Sequence, residues 1–250
     1  QTIGKIFSLP MYFIYVNGSE DLFKAQIIHS STWLISGIIS FIYLFNQRRN
    51  LLVRVRFNSI LYIIKNGFNM FLSRGCTSIY TTLTPIILGS IAGPTSLSYF
   101  IIAEKFKILA QTALNPISNA LFPRLSYLYS YNRRQANKLL INSSTIIIII
   151  SFLASIFMWL LAPFLINLLA GSSYNGAVSV LKWLSPIPLI ISLSNIFGLQ
   201  ILIPNKLDKQ LNVTLIITSI LNLLIIFPLV RNNNAVGAAQ SCLITEFFVS

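Results

Sequence analysis

The 250-residue sequence is poor in charge and in cysteine, and this excludes several classes of protein. Charged residues make up 9% of the chain and hydrophobic residues 55%, whereas a soluble domain carries about 25% charged residues. The two cysteines, Cys76 and Cys242, lack metal or disulfide spacing and are predicted to be free. The sequence also lacks an acidic pair, an HExxH motif and a glycine-rich phosphate loop. We therefore predict no catalytic residue and no metal site, and we do not expect an enzyme.

Long apolar runs fill most of the sequence and predict an all-α, polytopic transmembrane helix bundle. Many runs approach the roughly 20 residues that cross about 30 Å of hydrocarbon, and polar turn-forming segments such as AGPT, GSSYNG and RNNN separate them. The first residue is not Met and both ends lie in predicted helices, so we expect a fragment of a longer protein. Eight helices are predicted near residues 1–16, 25–45, 60–90, 96–122, 141–169, 177–203, 211–230 and 235–250.

Basic residues outnumber acidic ones by 18 to 5, and their positions predict the orientation of the helices. Ten of them fall in the alternate loops 46–58, 122–140 and 204–210, whereas the other loops hold only Lys24 and Arg231. This bias is typical of cytoplasmic loops, so the net charge of +13 requires no nucleic-acid partner. A binding site for anionic lipid headgroups is the alternative interpretation of the basic loops.

Segment 101–123 has the length of a membrane helix but carries three charges, Glu104, Lys105 and Lys107. Its nine Leu, Ile and Phe residues return roughly 4 kcal/mol on insertion, whereas three charges cost roughly 8 kcal/mol. This helix is therefore not expected to face lipid on all sides. Its polar residues share one side of the helix and form a polar stripe about 22 Å long. The stripe consists of Glu104, Lys107, Gln111, Asn115, Ser118 and Asn119.

Two further helices carry polar faces. The AGPT segment predicts an antiparallel hairpin of helices 60–90 and 96–122, which places Arg74 level with Gln111. A third face, on helix 25–45, contains His29, for which an interfacial position and a proton relay are the alternatives. The two faces comprise Asn66, Asn69, Ser73, Thr77, Tyr80, Thr81 and Thr84 beside Arg74, and Gln26, His29, Trp33, Ser36 and Ser40.

Together these faces predict a shared interior with net positive charge. Ionisable groups inside a membrane usually mark a substrate or ion path, and a positive cavity favours an anionic ligand. Arg74 is the candidate phosphate contact, with hydrogen bonds to neighbouring carbonyls as the alternative. Glu104 is the candidate ion-coupling group for H+ or Na+. The competing interpretation is that Glu104 and Lys107 form a buried ion pair that only fixes packing.

Two other segments give expectations about shape. Helix 141–169 has no charge and should face lipid, with Ser151 and Ser155 forming a small-residue contact for a neighbouring helix. The SPIP segment at residues 185–188 should bend its helix strongly.

Two motifs resemble those of Wzx-type O-antigen flippases. Residues 85–126, PIILGSIAGPTSLSYFIIAEKFKILAQTALNPISNALFPRLS, are similar to a helical hairpin of that family that ends in a Phe-Pro-basic-Leu-Ser signature. Residues 198–210, GLQILIPNKLDKQ, resemble the inner end of a later helix with a Gly-x-Gln…Pro pattern.

This resemblance implies the MOP-superfamily fold, with twelve spans in two pseudo-symmetric lobes around a central cavity. Residues 1–45 would be the last two helices of the N-terminal lobe, 46–58 the basic cytoplasmic interlobe linker and 59–250 the C-terminal lobe. The implied substrate is an undecaprenyl-pyrophosphate-linked oligosaccharide, flipped from the cytoplasmic to the periplasmic leaflet of a bacterial inner membrane. An O-antigen polymerase and a chain-length regulator are the implied protein partners.

The predicted site follows from these residues and from the resemblance together. Alternative functions are a drug or cation exporter of the same superfamily, which predicts an acidic cavity, and a membrane-embedded O-antigen polymerase, which predicts a large periplasmic loop. A structural membrane subunit would lack deep polar faces. The predicted substrate-binding residues are Asn69, Arg74, Lys105, Lys107, Gln111 and Asn115, with Glu104 as the ion-coupling residue.

Overall fold

The computed structural model describes residues 2–16, 18, 21–47, 57–205 and 207–250. The chain forms two compact units, residues 1–62 and residues 63–250. Every regular element among the described residues is helical, as the composition predicts. The α-helices are α1 (Thr2–Tyr15), α2 (Leu22–Gln47), α3 (Phe57–Tyr131), α4 (Arg133–Leu160), α5 (Ala162–Ala170), α6 (Gly176–Leu184), α7 (Ile187–Asn195) and α8 (Asp208–Val249).

Helix α3 folds back on itself at Gly93 and forms the hairpin that AGPT predicts. Gly93 has φ 78° and ψ 176°, a backbone conformation that glycine adopts without the steric cost of a side chain. A Cβ atom on Gly89 would lie 3.0 Å from the Leu97 side chain, although these positions would be about 12 Å apart in a straight helix. The two arms of α3, residues 57–92 and 94–131, are therefore antiparallel.

Helix α8 contains a second hairpin, with its turn at Asn234. Asn234 has φ 49° and ψ −127°, and Asn tolerates positive φ better than most residues. Asn222 and Ser241 are joined by a 3.0 Å hydrogen bond, whereas 19 residues of straight helix would span about 28 Å. Gly237 lets the backbone of the facing arm approach, since a Cβ atom there would collide with the Leu229 carbonyl. Residues 208–233 and 235–249 are the two arms of α8.

Among the residues that the structure describes, five helical stretches are long and apolar enough to cross a membrane. They are Phe23–Asn46, Gly75–Tyr131, Arg133–Leu160, Gly176–Leu202 and Lys209–Val249. The second and the last of these stretches each contain a hairpin turn, so each of them consists of two antiparallel helices. The expected eight helices correspond to α1, α2, the four hairpin arms, α4 with α5, and α6 with α7.

The predicted basic loop at residues 122–140 is wrong. Helix α3 continues to Tyr131 and α4 begins at Arg133, so only Asn132 separates them. The Asn132 side chain accepts a hydrogen bond from the backbone N–H of Gln135, which is the usual way of starting a helix. The basic residues of this segment are good helix formers, and they extend the two helices where hydropathy alone predicts a loop.

The SPIP segment interrupts the helix at the place where the sequence predicts a bend. Helix α6 ends at Leu184 and α7 begins at Ile187, with Pro186 and Pro188 at the junction. Helix α7 then passes into a π-helix at Ile196–Leu202. No feature of the residue pattern predicts this π-helix, a rare form that occurs mostly as short insertions in α-helices and frequently at functional sites.

Helix α4 faces a neighbour with its serines, as predicted. Ser151 is fully buried and Ser155 is nearly so, and α4 packs on α7. Ile149 and Ile150, which come just before Ser151 in the sequence, are exposed. Small residues on one side of a helix let a neighbouring membrane helix approach closely.

The apolar core of the second unit lies beside the turn ends of the two hairpins. Leu88, Phe100 and Ala103 come from α3, and α8 contributes Ile226 and Ala238 from its own arms. Residues of α4, α5, α6 and α7 complete this core. The core therefore holds the two turns together and sets the depth of the side chains farther along the arms.

Candidate functional site

Lys107 and Glu104 form a buried ion pair on the second arm of α3. Lys107 Nζ donates to Glu104 Oε1 at 2.9 Å, and the two side chains are only 10% and 18% exposed. The spacing of three residues on one helix brings the groups together. Lys107 is therefore paired with a carboxylate in this conformation.

A second carboxylate from the end of the chain joins this pair. Glu246, on the second arm of α8, is buried and accepts a 3.3 Å hydrogen bond from the Tyr80 hydroxyl. The charges of Lys107 and Glu246 interact. The side chains of Thr84 and Cys242 lie within hydrogen-bonding reach of each other beside the same groups. We call Tyr80, Glu104, Lys107 and Glu246 the charge cluster.

The two hairpins explain why these distant residues meet. Tyr80, Lys107 and Glu246 each lie roughly 18–21 Å along an arm from the nearer turn, at about 1.5 Å per residue. Because the apolar core packs both turn ends together, positions at equal distances from the turns lie level with each other. The cluster therefore lies well inside the roughly 30 Å thickness of a bilayer core.

A neighbouring polar network connects the arms of α8. Asn222 donates from Nδ2 to Ser241 Oγ at 3.0 Å and to Thr245 Oγ1 at 2.8 Å. Ser219 Oγ donates to the Cys76 carbonyl at 3.0 Å, which joins α8 to the first arm of α3. These hydrogen bonds satisfy buried polar groups, and they hold the first arm of α3 against the hairpin that carries Glu246.

The structure divides the predicted site residues into two groups. Lys107 and Glu104 lie in the charge cluster, and Gln111 follows one turn later, with its Nε2 buried and without a hydrogen-bond partner among the described residues. Lys105 and Asn115 are exposed on the same arm. The side chains of Asn69 and Arg74 fall outside the part of the chain that the structure describes.

The described charge cluster differs in sign from the positive interior that the sequence predicts, and the side chain of Arg74, the predicted phosphate contact, lies outside the described part of the chain. The described charge cluster contains one lysine and two glutamates, so its formal charge with all groups ionised is negative. Lys105, a predicted substrate-binding residue of the positive interior, is exposed. Glu246 received no role there, because the two residues that surround it, Tyr80 and Lys107, are 166 and 139 positions away in the sequence.

A separate open groove of about 370 Å³ lies in the first unit, between α1 and α2. The predicted face residues His29, Trp33 and Ser36 line it, together with Ser8, Leu9, Tyr12 and Thr32. His29 and Trp33 are exposed and Ser36 is buried. The third polar face thus has both exposed and buried members, and the groove beside it is lined mainly by apolar surface.

Comparison with known proteins identifies the family. The model of a family described as "Polysaccharide biosynthesis protein" matches residues 1–129, about half of the chain. The chain belongs to the polysaccharide biosynthesis protein family. The matched region includes α1, α2 and almost all of α3, and therefore contains Tyr80, Glu104 and Lys107.

Two curated relatives of this family member match nearly the whole chain. A protein of Escherichia coli (strain K12) named "Putative O-antigen transporter" is 34% identical over 99% of the chain and 60% of its own length. A protein of the same name from Shigella dysenteriae is 31% identical over 99% of the chain and 62% of its own length. The chain thus spans about 60% of the length of these relatives. No solved structure matches the chain.

Proposed function

We propose that this chain is part of a transporter that flips undecaprenyl-pyrophosphate-linked O-antigen units from the cytoplasmic to the periplasmic leaflet of a bacterial inner membrane. The observation that carries the proposal is the charge cluster, which lies deep among long apolar helices. Buried ionisable groups in membrane helices are costly and usually serve a transport path. The family and the names of the two relatives support the same function.

The proposal includes the finer architecture that the resemblance implies. Two six-helix lobes of the MOP type would enclose a central cavity, with residues 1–45 completing the N-terminal lobe and 59–250 forming the C-terminal lobe. Alternating access would expose this cavity first to one leaflet and then to the other. An O-antigen polymerase and a chain-length regulator would associate with the transporter.

The exposure of the site residues suggests which of them would contact the substrate. Lys105 and Asn115 are exposed and would contact the substrate together with Asn69 and Arg74. Lys107 is paired with Glu104, so it would bind a phosphate only by exchanging Glu104 for the anion. Such an exchange of one anionic partner for another keeps the lysine neutralised throughout, which avoids the cost of an unpaired buried charge.

A drug or cation exporter is the second candidate, and one observation favours it. The described charge cluster has more carboxylates than lysines, and a negative cavity attracts cations. The names of the relatives point instead to O-antigen. We therefore assign the carboxylates to coupling and the exposed basic residues to the substrate.

The test is to delete the gene in its host and locate the lipid-linked O-antigen unit. We expect the unit to accumulate in the inner leaflet, and the complete wild-type gene to reverse this. The Lys105→Ala and Lys107→Ala variants should restore flipping poorly. Lys182→Ala is the matched control, because Lys182 is exposed and lies over the Trp159 ring at 5.7 Å, away from the charge cluster.

Two results would contradict the proposal. Normal translocation with altered polymer length would indicate a polymerase. Resistance to cationic drugs that depends on the gene, with no accumulation of the lipid-linked unit, would indicate the exporter.

A further inference from the structure

We propose that Glu246 is the proton-binding group of this protein, and that Lys107 exchanges between Glu104 and Glu246 as the proton leaves and returns. This inference rests on the proposed transport function and assigns its coupling site. It moves the coupling role from Glu104, which the sequence favoured, to a residue on the other hairpin.

The charge cluster contains one lysine and two carboxylates. Lys107 can neutralise only one of the two carboxylates, and its 2.9 Å contact is with Glu104. Glu246 is therefore left with a neutral hydrogen-bond donor, the Tyr80 hydroxyl at 3.3 Å. A buried carboxylate without a bound cation is strongly disfavoured, so such a group takes up a proton instead.

The surroundings of Glu246 favour a proton over a metal ion. The groups that act on it are Tyr80 from the first arm of α3 and Lys107 from the second arm, and Glu104 is the ion-pair partner of that lysine. Cys242 lies on its own arm. Sodium would require several oxygen ligands, and the Lys107 ammonium would repel it at this position. Among the described residues, no cluster of three His, Cys, Asp or Glu side chains could hold a metal ion.

The geometry also provides a way for the proton to act on packing. When Glu246 is protonated, Lys107 stays with Glu104, as the structure has it. When Glu246 releases the proton, its carboxylate attracts Lys107, whose charge already interacts with it. The lysine would then connect α3 to α8 rather than one turn of α3 to the next. Release of the proton thus changes a contact within one helix into a contact between two hairpins, and protonation reverses this change.

Infrared titration of the complete gene product in nanodiscs tests proton binding directly. The wild type should show the C=O band of a protonated, slowly exchanging carboxyl group, and Glu246→Gln should lose that band. Glu104→Gln is the matched control and should retain it. Tyr80→Phe keeps the aromatic ring and should shift the band, because it removes the hydrogen bond to the same carboxyl. An unchanged band in Glu246→Gln, or a band lost in Glu104→Gln instead, overturns the assignment.

Transport in proteoliposomes tests coupling separately from proton binding. With lipid-linked oligosaccharide as the substrate, an imposed pH gradient should change the wild-type rate, and Glu246→Gln should lose that dependence. Dependence of the rate on Na+ in place of the pH gradient would overturn the choice of proton. If the wild type moves no substrate at all, the proposed function fails, while the infrared result still decides whether Glu246 binds a proton.

Discussion

Lys107→Ala should destabilise the protein strongly, because it leaves a largely buried carboxylate without its cation. The variant leaves Glu104, whose side chain is 18% exposed, without its ion-pair partner and removes the charge that acts on Glu246. Breaking a buried ion pair by removing one partner costs about 3–5 kcal/mol. The free energy of unfolding of the complete protein, measured by SDS titration in mixed micelles, should fall by about that amount.

Combined substitutions show whether Lys107 interacts with one carboxylate or with two. If Lys107 served only Glu104, the apolar double variant K107M/E104L would recover most of the lost stability, since replacing a whole buried pair is often neutral. Because Glu246 also interacts with Lys107 when it is ionised, we expect incomplete recovery at alkaline pH, and further recovery there when E246Q is added. The exposed Lys182→Ala control should cost at most about 1 kcal/mol. A loss below about 1 kcal/mol for Lys107→Ala would refute the placement of this lysine in a desolvated cluster.

Three further substitutions test the packing of the second unit by the same unfolding measurement. Gly237→Ala should lower the free energy of unfolding by about 3 kcal/mol or more through overpacking, because its Cβ atom would collide with the facing backbone. Gly75→Ala has open space around the new Cβ atom and should be neutral or slightly stabilising. Equal effects of the two substitutions would contradict the turn at Asn234. Ser151→Leu should cost about 1–3 kcal/mol because Ser151 is fully buried, and no loss would contradict the contact between α4 and α7. Asn222→Ala should cost about 0.6–2 kcal/mol through two lost hydrogen bonds, and an unchanged unfolding transition would show that these bonds are not formed in the membrane.

The individual helices of the fold could be predicted because they depend on local chemistry. Apolar length sets the spans, and Gly93 in AGPT provides a backbone conformation that continues no helix. The buried serines of α4 also follow from spacing alone, since residues four apart share a helix face. The segment 122–140 could not be predicted in this way, because hydropathy describes where lipid ends and does not show where a helix ends.

The charge cluster could be predicted only in part, for a physical reason. The contact between Glu104 and Lys107 is local to one helix, so spacing gave it as one of two alternatives. The position of Glu246 depends on two turns packing at the same level, and that depends on the whole apolar core. No periodicity in the sequence carries this information. The exposure of Lys105 likewise follows from which side of its helix the core covers.

The arrangement of core and cluster suggests where the second unit can move. Around the turn ends, small residues such as Ala103, Ala238 and Ala239 are buried, and small residues permit the close, regular packing of membrane helices. Farther along the arms, Lys107 has two candidate carboxylate partners, so more than one arrangement can satisfy the buried charges. A packed core tends to resist gradual deformation, whereas groups with alternative partners can change discretely. We therefore expect any motion that serves the proposed transport to pivot about the turn ends and to open the arms at the level of the charge cluster.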